Sequence, residues 1–191
     1  MKKIFTSLLF CMVLAIACFA ISTPETGPWG AGIHYGAINN FMMFTETDTD
    51  AGSVIAFDYS YDFNDRYTAA LEIGFIADNN VMPITSSPKY VETGAFLNIA
   101  HKLYFNRSEG FSPYFKLGTG LFNVTQYRKL DNTFTFSAAT TLADISCGMG
   151  ADLKIWDVPL NADLTMPALC YSAFMNARIA YIFTVGYKQG F

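Results

Sequence analysis

The last stretch of the chain, residues 178–191, places large apolar side chains at every second position: Ile179, Tyr181, Phe183, Val185 and Tyr187. Ala180, Thr184, Gly186 and Lys188 lie between them, with Ile182 the one large apolar exception. Successive side chains of a strand point to opposite faces, so this pattern predicts a strand with one apolar and one small or polar face. The alternation recurs along the chain. Residues 29–43 set Trp29, Ile33 and Tyr35 against Gly30, Gly32, His34 and Gly36. Ile55, Phe57, Tyr59 and Tyr61 oppose Asp58 and Ser60, and residues 67–78 set Tyr67, Ala69, Leu71, Ile73 and Phe75 against Thr68, Ala70, Glu72, Gly74 and Ile76. Residues 90–105, 112–125, 140–155 and 158–166 repeat the pattern, which predicts eight strands in all.

The predicted connections alternate in length. Residues 45–52, 79–89, 126–139 and 171–176 are long or polar links, whereas 62–66, 106–110 and 156–157 are short ones rich in turn formers. A soluble sandwich gives no reason for such regularity, but a transmembrane barrel has short turns at one end and longer loops at the other. Aromatic residues flank the short turns, and Tyr61, Phe63, Tyr67, Tyr104, Phe105, Tyr114, Phe115, Trp156, Tyr187 and Phe191 read as a girdle at one membrane interface. A turn at Trp156-Asp157 sets Cys147 opposite Met166. It leaves Cys170 about 13 Å further along at strand rise, too far for a disulfide, so both thiols are expected to be free.

The final amphipathic strand, closing on Phe191, resembles the last strand of a bacterial outer-membrane barrel. Residues 29–191 as a whole resemble the small eight-stranded outer-membrane β-barrel family of the OmpA and OmpX type. Tyr59-Ser60-Tyr61-Asp62-Phe63-Asn64-Asp65-Arg66-Tyr67 and Ser112-Pro113-Tyr114-Phe115-Lys116-Leu117-Gly118-Thr119-Gly120 look like its turns and strand starts. One departure is Gln189, where the family often has an aromatic residue third from the end. The resemblance implies an all-β fold: an eight-stranded antiparallel up-and-down transmembrane β-barrel, a monomer in the bacterial outer membrane. It implies contact with lipid and lipopolysaccharide, and a C-terminal signal at Tyr187 and Phe191 read by the barrel-assembly machinery, with periplasmic chaperones upstream.

Composition agrees with that expectation. Hydrophobic residues make up 52% of the chain and aromatic residues 16%, yet beyond the first 21 residues no apolar run approaches the roughly 20 residues of a membrane helix. Lys2 and Lys3 followed by an apolar run to Ile21 read as a secretory signal peptide over residues 1–20, cleaved near Ala20, with 21–28 as a short extension. A membrane helix is the alternative, disfavoured by the absence of a positive flank. Leu14-Ala15-Ile16-Ala17-Cys18 also resembles a lipoprotein signal, although Ala15 stands where a larger residue is usual. Without the leader's two lysines, ten basic side chains face sixteen acidic ones, a net charge of about −6. Such a surface does not suit nucleic acid, whose phosphates call for a basic partner.

Strand parity sends Asp58, Glu72, Glu92, Lys102, Lys116, Asp144, Asp152, Lys154, Asp163 and Lys188 to the lumen, where a network of opposite charges is expected. An eight-stranded barrel is only wide enough for side chains to fill. Gly74, Gly118, Gly120, Gly148 and Gly150 would make room for the long Lys and Glu chains, giving a plugged barrel. His34 points inward and His101 outward, and the sequence around His34 offers no serine nucleophile for a lipid A hydrolase. The stretch from Glu46 to Gly52 is acidic but has Ala51 and Phe57 where a calcium loop wants Gly and Glu. No metal or cofactor motif is present, so none is expected. The leading expectation is a non-enzymatic barrel with a structural or surface-interaction role through its outer loops. A narrow channel or small-ligand binder is the alternative, and an outer-membrane hydrolase a lesser one.

Overall fold

The computed structural model describes residues 28–41, 47–48, 52–83, 89–108, 110–130, 133–170 and 177–190. The proposed leader, most of the acidic stretch from Glu46, and Phe191 lie outside the described residues. The strands are β1 (Trp29–Phe41), β2 (Thr47–Asp48), β3 (Gly52–Asn64), β4 (Tyr67–Pro83), β5 (Lys89–Tyr104), β6 (Phe111–Leu130), β7 (Thr133–Ile155), β8 (Val158–Cys170) and β9 (Ala177–Gly190). Eight of them form one closed antiparallel barrel. Each pairs with its sequence neighbour, and β1 pairs with β9 to close the ring. The two-residue β2 only adds to the outer end of β4. Among the described residues no helix is long and apolar enough to cross a membrane.

Closure follows from the alternation. In lipid each backbone donor and acceptor must be paired within the protein, and a closed barrel leaves no strand edge in the bilayer. The apolar parity then faces outward: Ile73, Phe75, Leu97, Ile99, Leu117, Ile145 and Met149 are all exposed. The two-residue turn between β7 and β8 places Trp156 and Asp157 at φ 49° and 64°, the left-handed pair that a tight hairpin requires.

The register sets Cys147 against Met166 and Cys170 against Ala143. Cys147 is a free thiol on the outward face.

Two expected loops are corrected. Residues 79–83 continue β4, and most of 126–139 is paired strand, with β6 and β7 running on to Leu130 and Thr133. The resulting hairpin is the longest in the barrel. On its outward face the apolar parity ends at Leu121, which faces Ala143. One step beyond, Asn123 Nδ2 donates to Thr141 Oγ1 at 3.2 Å. The nine residues of β6 past Leu121 carry the hairpin on the order of 20 Å beyond the apolar band at strand rise and usual tilt.

Candidate functional site

Inward-facing residues of neighbouring strands line up in rows across the barrel. One row runs Asp58, Glu72, Asn98, Gly120, Asp144, each opposite the next. Its charges are met from two inward rows nearer the short turns, where Lys102 faces Lys116. Lys116 Nζ lies 2.8 Å from Glu72 Oε1, 3.4 Å from Asp163 Oδ1 and 3.0 Å from Thr165 Oγ1. Thr165 in turn donates to Asp163. Lys102 Nζ is 3.8 Å from Asp58 Oδ2 and sits over the Tyr114 ring.

Toward the short turns the network continues through neutral groups. Tyr114 donates to Asp163 at 2.8 Å, and Asn161 donates to Tyr114 Oη and to Asp152 at 2.9 and 2.7 Å. Tyr104 donates to Asp152 at 2.7 Å, and Lys188 lies 3.4 Å from the same carboxylate. At the rim Arg107 donates to Asp62 at 2.9 Å and stacks on Tyr104, while Thr68 donates to Asp62. Partial burial works against the Arg107 charge, but its contacts with Asp62 and Tyr104 more than offset that, and its pKa lies above the ordinary arginine value.

One row nearer the long loops the interior changes character. Ala56, Gly74, Phe96, Phe122 and Leu142 face one another in sequence. All but Gly74 join Ile38, Val54, Ile76, Ala180 and Ile182 in a buried apolar cluster. Phe96 and Phe122 stack with centroids 5.0 Å apart. Gly74 permits this, because a Cβ there would sit 2.1 Å from the Phe96 ring. A cavity of about 40 Å³ remains where the charged and apolar rows meet.

The structure thus gathers Asp58, Glu72, Lys102, Lys116 and Asp163 directly, and Asp152 and Lys188 through Tyr114, Asn161 and Tyr104. Asp144 completes the acidic row. Glu92 is buried nearer the long loops, where Gln126 donates to it at 3.4 Å. Lys154 is corrected: it stands exposed at the hairpin tip, 3.2 Å from Asp157, because the strand wall ends there. Tyr104 and Tyr114 are also corrected, from interface girdle to interior, being 4% and 0% exposed. The lumenal glycines adjoin Phe96, Asn98, Ser146, Tyr114 and neighbouring backbone rather than lysine and glutamate chains. The sequence pattern puts Asn98, Ser146, Asn161 and Thr165 on the inward faces of their strands, but they were not among the expected network residues; strand parity with Lys102, Lys116 and Asp163 was also the signal for both tyrosines. The true girdle includes Trp29, Tyr59, Tyr61, Phe63 and Tyr67, a continuous run of ring contacts that ends on His101, whose Nδ1 meets Tyr67 Oη at 2.8 Å.

His34 Nε2 lies 2.7 Å from Asp58 Oδ1. Among the described residues no hydrogen bond joins His34 to Ser60 or Ser146. No group of three or more His, Cys, Asp or Glu side chains among the described residues is arranged to hold a metal ion.

Residues 6–188 match the family described as outer membrane protein beta-barrel domain. The chain belongs to that family. Its short turns are therefore the periplasmic end and its long hairpins the outer end of a protein of the bacterial outer membrane. Solved barrels share the fold at low identity. Neisserial surface protein A is 12% identical, with a TM-score of 0.62 over 88% of this chain and 100% of its own. The outer membrane protein OprG of Pseudomonas aeruginosa is 12% identical, with a TM-score of 0.57 over 87% and 98%. The attachment invasion locus protein Ail of Yersinia pestis is 13% identical, with a TM-score of 0.52 over 86% and 100%. No curated protein matches the chain in sequence.

Proposed function

We propose that the protein is a non-enzymatic, sealed outer-membrane barrel that acts through its outer surface, with the β6–β7 hairpin as the contact element. The observation that carries this reading is the hairpin's extension past the apolar band with exposed aromatic residues on it. Phe134 and Phe136 are both more than half exposed, and Phe136 meets Tyr127 edge-on at 6.3 Å. Such residues have no lipid to face at that height, and exposed aromatic patches mark interaction sites. Ail, which shares the fold, is by name an attachment protein. The interior supports sealing, since a charged network and an apolar cluster lie in series across the lumen.

In this reading the outer face contacts lipopolysaccharide or a host molecule, the barrel is a monomer in lipid, and Tyr187 with Phe191 forms the signal for the assembly machinery. Trimming separates the hairpin's role from the barrel's. Gln126 faces Ala138, so residues 127–137 are replaced by Asn-Gly to close the hairpin there. Adhesion of cells displaying the trimmed barrel to host cells and to lipopolysaccharide-coated surfaces should fall to background, with heat-modifiable folding intact. Unchanged adhesion would refute the reading. A small-ligand role finds support in a periplasmic vestibule of about 340 Å³ lined by Asp62, Ser112, Asp152 and Lys188. Ligand-dependent conductance across planar bilayers, insensitive to trimming, would favour it.

A further inference from the structure

We propose that the barrel wall opens locally between β8 and β9 at Pro167, while the adjoining β7–β8 and β1–β9 seams stay closed. The pairing of β8 with β9 runs from Leu160↔Tyr187 to Thr165↔Ile182 and resumes at Ala168↔Ile179 in the same register. Met166 and Pro167, which that register sets against Tyr181 and Ala180, are left unpaired with β9. The interruptions in the β3–β4, β4–β5 and β6–β7 ladders differ, since each marks a shift of register. A bulge therefore does not explain the gap, and the chemistry of proline does.

Proline has no N–H, and within sheets it is confined to edges and bulges. A closed barrel has no edge, and Pro167 sits in no bulge. Facing residues of an antiparallel ladder exchange both bonds at every second pair. Ser146↔Pro167 is kept on the β7 side, so the nitrogen that cannot donate points to β9. The two lost pairs are the ones that need its bond, and the Ala180 carbonyl is left without its ladder donor. Ala180 is 0% exposed, and Leu164, Tyr181 and Phe183 around the gap stand on the lipid face. Water in a bilayer core cannot replace that donor. Pro159 has the same parity on β8, and pairing with β9 begins only at Leu160. Packing from within is thin as well. Thr165, Pro167, Ile182 and Thr184, all on these two strands, line the lumenal cavity of about 40 Å³. A missing bond backed by a cavity is a low-stability spot, of the kind that opens without global unfolding.

Amide hydrogen exchange of the full barrel in lipid nanodiscs tests this, because successive amides of β9 point to opposite neighbours. Those of Ala180 and Ile182 face β8, whereas those of Tyr181 and Phe183 face β1, whose pairing with β9 is unbroken. Corrected for intrinsic rates, Ala180 and Ile182 should exchange about tenfold faster than Tyr181 and Phe183. Pro167→Ala restores the N–H and should bring the two sets to within about twofold of each other. The wild-type comparison needs no variant, so it is independent of how well Pro167→Ala folds. Equal protection of the two sets in the wild type would overturn the proposal. So would a difference that Pro167→Ala leaves unchanged.

Discussion

Two neighbouring rows of the same barrel wall solve the problem of filling a narrow lumen in opposite ways. The row from Asp58 to Asp144 is polar, and Asp58, Glu72 and Asn98 in it belong to a web of ion pairs and hydrogen bonds. The row from Ala56 to Leu142, one step nearer the outer end, is apolar and packs by shape around the Phe96–Phe122 stack. Both face inward and both are buried. The difference lies in how each fails: a charged web depends on every member, whereas an apolar cluster loses stability in proportion to the volume removed.

The largest expected effect breaks the web at its centre. Lys116→Met leaves Glu72 and Asp163 buried without their shared cation. It should cost about 3–5 kcal/mol, read from equilibrium urea unfolding in micelles, with no gain in bilayer conductance. Phe122→Ala removes half of the aromatic stack and should cost about 3 kcal/mol. Combined with Phe96→Ala it should also admit measurable ion leak in planar bilayers, because the outer seal is then gone. A sealed double variant would show that the charged rows suffice to block the lumen.

A smaller effect tests how closely the apolar row is packed. Gly74→Ala forces a Cβ against the Phe96 ring and should cost about 1–3 kcal/mol. In a Phe96→Ala background the cost should nearly vanish, a coupling that a double-mutant cycle reads directly. The smallest effect lies outside both rows. Asp157 holds a left-handed backbone at the β7–β8 turn, so Asp157→Gly should raise stability by about 0.5–1 kcal/mol. The unfolding midpoint should rise with no change in conductance.

Much of this was legible in the strand pattern, because lipid and lumen impose a period of two on every membrane-crossing segment. The pattern weakened where its cause was absent. Residues 126–139 read as a loop because, above the bilayer, neither face of a hairpin needs to be apolar; pairing there is held by backbone bonds and contacts such as Tyr127 with Phe136. Tyr104 and Tyr114 were read as membrane-interface aromatics from their nearness to turns. Their parity with Lys102 and Lys116 placed them inside, where their hydroxyls reach Asp152 and Asp163. Lys154 shows the converse, an inward parity at a strand end with no lumen left to enter.

Away from strand ends and bulges, the sequence alone determined which side of the wall a residue occupies, since that depends only on position along one strand. Only the closed barrel decided which inward residues meet. Lys116 on β6 reaches Glu72 on β4 and Asp163 on β8, and neither strand is its hydrogen-bonded neighbour. Such contacts depend on the stagger between strands and on the curvature that brings them across the lumen, quantities that no local pattern encodes.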